Sequence, residues 1–92
     1  MFSIFGFYKF KKLNNLKKNK SILQLYMAKY QVKGAVILAN EGINGTISGM
    51  KKNLIKVKKK ICIIFQIKSF DNENNSVSKF QPFHKPKVKI KK

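Results

Sequence analysis

Apolar side chains recur along this chain with two alternating periods. In FSIFGFYKF, Phe2 to Phe10, a period of two puts Phe2, Ile4 and Tyr8 on one face and Phe5 and Phe7 on the other. A strand that is apolar on both faces belongs inside a sheet. Lys11 to Asn15 is a polar connection. Leu16, Leu23, Met27 and Tyr30 then follow at intervals of seven, four and three, along one face of a helix, and Lys17, Lys18 and Lys20 fall mostly off that stripe. Gln31 to Gly34 closes the helix, with Gly34 as its boundary. Ala35 to Ala39 (AVILA) is a continuous apolar run of strand length, read as a second buried strand. Asn40 to Gly45 reads as a tight turn in which Asn and two Gly supply positive φ angles, and Thr46 to Ser48 as a short third strand. Leu54, Val57, Ile61 and Ile64 line a second helix, with Lys52, Lys56 and Lys59 on its other side. Phe65 to Phe70 is a weaker fourth strand, and Asp71 to Ser78 (DNENNSVS) a polar loop. Lys87 to Lys91 alternates strictly, with Val88 and Ile90 on one face and Lys87, Lys89 and Lys91 on the other. The order β-α-β-β-α-β predicts an α+β, ferredoxin-like split βαβ sandwich with one added C-terminal strand, as a single domain over residues 1–92.

Charge narrows what such a domain can do. Lysine accounts for all 21 basic residues; against three acids (Glu41, Asp71, Glu73) they give a net charge of +18. Chemistry built on paired carboxylates is excluded. One Cys and one His make neither a zinc site nor a disulfide framework, so no metal and no cofactor are expected. Without Arg, a phosphate would meet point charges rather than bidentate forks. Nine Asn and eleven Ile accompany the lysines. All are residues of A/T-rich codons, so codon drift is a second source of the excess. Whatever its origin, a field of this size attracts polyanions and opposes compaction. No run reaches the roughly 18 apolar residues of a membrane span, and Phe2 to Tyr8 is too short for a signal segment. These features, with the lone Cys62, predict a soluble protein of the reducing cytoplasm, with no membrane partner.

The segment VKGAVILANEGINGTISG, Val32 to Gly49, resembles the N-terminal domain of the rhodanese-containing tRNA uridine hydroxylases. FYKF at Phe7 to Phe10 and QPFHKPKVKIKK at Gln81 to Lys92 agree with it in the right order, and EGINGT (Glu41 to Thr46) is its most specific piece. The resemblance implies an acylphosphatase-like, ferredoxin-type domain preceding a rhodanese domain. The family hydroxylates the wobble uridine of certain tRNAs in an oxygen-dependent reaction, and a rhodanese-domain cysteine is regarded as catalytic. For these 92 residues the resemblance implies a tRNA-binding or scaffolding part without catalytic residues, with a separately encoded rhodanese domain as a second partner. Cys62 falls in the second helix pattern and matches no family cysteine. Lys85 stands where the family usually has Arg, and Pro86 replaces an apolar residue. The family continues past KVKIKK with an acidic residue and an apolar run. The last strand therefore reads as cut short and the chain as a truncated or split product. The alternatives are a non-enzymatic remnant or a general basic RNA-binding module.

Two groups of residues are candidates for contact. In EGINGT, the motif loop that ends at Thr46, amides around Gly42 and Gly45 would form an anion nest, with Glu41 and Asn44 facing RNA or the rhodanese domain; otherwise the motif is a turn that sets strand register. Lys85, Lys87, Lys89 and Lys91, with His84, would follow a phosphate backbone, the strand lysines being roughly 6.6–6.8 Å apart; otherwise they are a charged edge that resists aggregation. Lys52, Lys56 and Lys59 read as a solvated helix face, and Cys62 as a small buried hydrophobe. A working acylphosphatase grips its substrate with an Arg, which this chain lacks. An RNA-recognition motif stacks bases on aromatics of its first and third strands. Phe5 or Tyr8 would serve on the first, but Thr46 to Ser48 offers none. A membrane-surface binder is disfavoured because the lysines are dispersed.

Overall fold

The computed structural model describes residues 1–91, in the order β1 (Phe2–Phe10), α1 (Leu16–Lys29), β2 (Lys33–Ala39), β3 (Gly42–Gly49), α2 (Lys51–Phe65), β4 (Asn72–Ser78) and β5 (Pro86–Ile90). One sheet joins the strands in the order β4-β1-β3-β2-β5. Neighbours are antiparallel except β2 and β5, which run parallel. This is the ferredoxin-like arrangement with a fifth strand; β1 lies between β4 and β3, but of its two apolar sets only Phe5 and Phe7 are covered, while Phe2, Ile4 and Tyr8 are half-buried on the face the helices leave open. Both helices cover one face of the sheet, the face that carries Phe5, Phe7, Val36, Leu38, Ile43, Ile47 and Val88. Leu23 and Met27 of α1 and Leu54, Val57, Ile61 and Phe65 of α2 close the core from above. Phe5, Phe7 and Phe70 form an aromatic cluster with centroids 5.2–5.5 Å apart.

Three expectations need correction. The fourth strand is not Phe65 to Phe70. Phe65 ends α2, Gln66 turns the chain in a left-handed conformation (φ 55°), and Ile67 and Phe70 enter the core from irregular backbone. The polar stretch Asn72–Ser78 forms the strand instead, pairing with β1 from Phe2↔Ser78 to Tyr8↔Asn72. The residues of β4 are exposed on both faces apart from half-buried Ser78, so its side chains are free to be polar. Second, α1 stops before Gly34: Tyr30 caps it, Gln31 takes the left-handed position (φ 55°), and the Val32 amide donates to Met27 O. Gly34 lies inside β2. Third, the turn of EGINGT is only Asn40 and Glu41; Gly42 to Thr46 already belong to β3. Gly45 has no positive φ. Its role is close approach, because a Cβ there would sit 2.6 Å from Ala35 O of β2.

Asp71 fastens the start of β4 to the end of β1, accepting from the Phe10 amide (2.7 Å) and the Lys9 ammonium (3.3 Å). The Phe10 N–H and then Lys9 hold its carboxyl below the usual carboxylate range, with desolvation opposing them. A folded-state value below the unfolded one of about 3.9 adds stability above that pH, and this is lost as the pH falls through the folded value. Melting temperature should therefore fall below about pH 4, and the step should shrink in Asp71→Asn. Equal acid steps in the two chains would show that Asp71 is not its source.

Candidate nucleic-acid interface

Strand alternation sends every second side chain to the face the helices leave open, and the registers align these residues across the sheet. One row runs Asn72, Tyr8, Asn44, Ile37, Lys89. The next runs Asn74, Gly6, Thr46, Ala35, Lys87. The small side chains of the second row, next to Tyr8 and Ile37, leave a shallow cavity of about 540 Å³ in the middle of the sheet. Phe83, from the connection between β4 and β5, forms part of its wall. That connection is fastened by Gln81, whose Nε2 donates to Ser48 O (3.1 Å) and whose Oε1 accepts from the Phe83 amide (3.4 Å).

The charge on this face has one sign. Glu41 sits at the hairpin turn, Asp71 is tied to Lys9 and Phe10, and Glu73 points to the helix side, where it meets Lys58 at 3.3 Å. Lys87 and Lys89 stand exposed along β5, while Val88 between them is buried. Lys87 is held below the usual ammonium range, chiefly by the adjacent Lys89 head group within hydrogen-bond reach and by its like charge. The outer edge of β5 is partly closed, since the Val88 amide donates to Gln24 of α1 (3.3 Å).

The structure therefore brings Lys87 and Lys89 onto one face with Asn44 and Thr46. Lys91 extends the β5 line, its amide donating to Leu38 O (2.8 Å), and Lys85 precedes it, its carbonyl accepting from the Gly34 amide (3.2 Å). His84 is exposed in the same connection. Glu41 stands apart. The turn carbonyls of Asn40 and Glu41 accept from the amides of Leu13 and Lys11, which fastens the hairpin to the segment before α1. No nest forms at Gly42 and Gly45, because β3 is flanked on both sides by β1 and β2 and its amides serve those ladders. Cys62 is half-buried in α2, and burial pushes its thiol up, Glu73 adding to this and Lys58 opposing it. A thiol so placed is a poor nucleophile at neutral pH. Asn72, Asn74 and Phe83 join the face without a signal of their own in the sequence. Of the two β1 aromatics that the sequence offers for stacking, Tyr8 is on this face and Phe5 is in the core.

This sheet, with two helices on one side and an added parallel edge strand, is an acylphosphatase-like ferredoxin fold. The acylphosphatase from Bacillus subtilis shares it with a TM-score of 0.64 at 11% identity, over 100% of both chains; that likeness concerns the fold alone. The family model described as "UPF0176 acylphosphatase like domain" matches residues 2–92, and the chain belongs to that family. It is 61% identical over 92 residues to the tRNA uridine(34) hydroxylase of Pelagibacter ubique (strain HTCC1062), covering 100% of this chain and 31% of that protein. With the tRNA uridine(34) hydroxylase of Wolbachia sp. subsp. Brugia malayi (strain TRS) it shares 36% over 91 residues, 99% of this chain and 34% of that one. The chain thus spans about a third of the length of the curated relatives it matches, and it corresponds to the N-terminal domain of the tRNA uridine(34) hydroxylase family. No helix among the described residues is long and apolar enough to cross a membrane.

Proposed function

We propose that these residues hold tRNA for uridine hydroxylation in the cytoplasm, while residues outside the 92 supply the reactive chemistry. The observation that carries this reading is the acid-free open face of the sheet, bordered by Lys87 and Lys89 and continued by Lys85, His84 and Lys91. Capture is electrostatic and shape-based. Lysines crowded on one strand repel each other until an anion arrives, and a phosphate backbone relieves that repulsion at several points together. Buttressing a rhodanese domain, on the same or a separate polypeptide, is the second reading. It is favoured by the apolar groove of about 430 Å³ between α2 and β4, lined by Phe5, Leu54, Ile55 and Val77.

The test is the affinity for single-stranded RNA as a function of salt. Neutralising about six phosphates gives a slope of log affinity against log salt of about −4. The K87E/K89E chain should bind at least about tenfold more weakly, with a slope shallower by about 1.4. K52E/K59E on exposed α2 positions should change affinity much less. A slope near zero, or a larger loss from the α2 pair, would overturn the assignment to β5.

A further inference from the structure

We propose that the cavity on the open sheet face binds one unstacked nucleobase of a single-stranded RNA segment, between the rings of Tyr8 and Phe83. The proposal rests on the RNA-holding reading above and assigns it a base-binding site.

The floor of the cavity is written into alternate positions of adjacent strands. Gly6, Thr46 and Ala35 are consecutive in one row, so the surface dips there, and Tyr8 rises beside them in the next row. The Tyr8 ring is set edge-on against Phe10, with centroids 4.9 Å apart and planes at 72°. It is therefore braced before any ligand arrives. Phe83 supplies a ring from a different part of the chain, and the two Gln81 hydrogen bonds hold its segment over the sheet. A third-strand aromatic is absent, as the sequence indicates, so the pair comes from β1 and from the connection into β5.

Polar groups around the rings suit a base edge. Asn44, Asn72 and Asn74 each offer a donor and an acceptor, and all three are exposed. Among the described residues, none of their side chains is hydrogen-bonded to another protein group, and that of Asn74 lies over Gly6 at the cavity floor. The cavity has the size of a small-ligand site, larger than one base, which leaves room for the sugar. From β1 to β5 is three strand spacings, about 14 Å, so a base at Tyr8 puts the neighbouring phosphates within reach of Lys87 and Lys89. Positive charge beside a stacking platform is the combination that single-stranded nucleic acid sites use. An uncharged ligand would leave the lysines without a counter-charge.

The experiment compares fluorescence anisotropy of the 92-residue chain with labelled oligouridine of about eight nucleotides and with an abasic ribose-phosphate chain of equal length and charge. Oligouridine should bind about tenfold more tightly. Tyr8→Ala and Phe83→Ala should each bring it towards the abasic affinity without changing the salt slope, and Tyr8→Phe should keep the preference. Circular dichroism checks that each variant is folded; Phe83 lies outside the helices and strands, which keeps its substitution informative if Tyr8→Ala unfolds. Equal affinity for both probes with a steep salt slope would overturn the base site and leave the RNA-holding reading standing. A preference that survives Phe83→Ala and Tyr8→Ala would also overturn it. Failure of both probes to bind would overturn site and reading together.

Discussion

A Gly34→Ala chain is expected to melt at least about 10 °C below the parent. Gly34 has φ of +133°, a conformation that L side chains rarely adopt, and an added Cβ would lie 2.2 Å from Thr46 O and 2.8 Å from Ile47 Cα. Both are backbone atoms of β3, which is paired on each side and covered by the helices, so neither can step back alone. The Gly34 amide also donates to Lys85 O at the entry to β5 (3.2 Å), and moving β2 would disturb that strand as well. Forcing the backbone costs about 1–3 kcal/mol and overpacking a similar amount. A domain of this size has about 5–14 kcal/mol in all. Urea titration of both chains measures the difference. A midpoint equal to the parent's would mean that β2 and β3 can separate without cost, against the close approach seen here.

A second close approach of β2 and β3, at Gly45, explains why EGINGT misleads as a string of residues. Asn and Gly in sequence suggest a turn, yet only Asn40 and Glu41 turn, and Gly45 is in β3 because Ala35 O leaves no space for a side chain. Nothing local distinguishes a glycine needed for rotation from one needed for proximity. β4 was hidden for a related reason. NENNSVS has no apolar period, and its strand identity comes entirely from the free hydrogen-bonding edge of β1. Where side chains carried the information, the sequence was readable: Leu23 and Met27 on α1, Val57 and Ile61 on α2, Val88 between exposed lysines; on β1, apolar on both faces, it did not tell the core set Phe5 and Phe7 from the open-face set. The candidate site divides in the same way. Parity within one strand puts Lys87 and Lys89 on a common face. Putting Tyr8 beside Asn44 and Asn72 requires the register between strands, and Phe83 enters through a connection that only tertiary structure directs.

Phe5→Ala is expected to cost about 3–5 kcal/mol and to leave the chain largely unfolded at low ionic strength. Phe5 is 2% exposed. Its ring stacks on Phe7 at 5.2 Å, meets Phe70 edge-on at 5.5 Å, and lies 4.5 Å beneath the Lys58 ammonium. Alanine removes all three contacts from a strand fixed by β3 and β4, so the space cannot close by local collapse. The remaining margin is reduced further by the self-repulsion of a +18 chain. Salt screens that repulsion over a Debye length that falls from about 10 Å at 0.1 M to about 3 Å at 1 M. Added chloride should therefore raise the melting temperature of the parent and restore part of the folded population of Phe5→Ala. A melt insensitive to salt would remove charge from the account of stability. The comparison also separates fold from recognition, because β1 sends Phe5 into the core and Tyr8 to the open face. Loss at Phe5 should abolish RNA binding along with the cooperative melt, whereas loss at Tyr8 should leave the melt largely in place and remove the preference for bases.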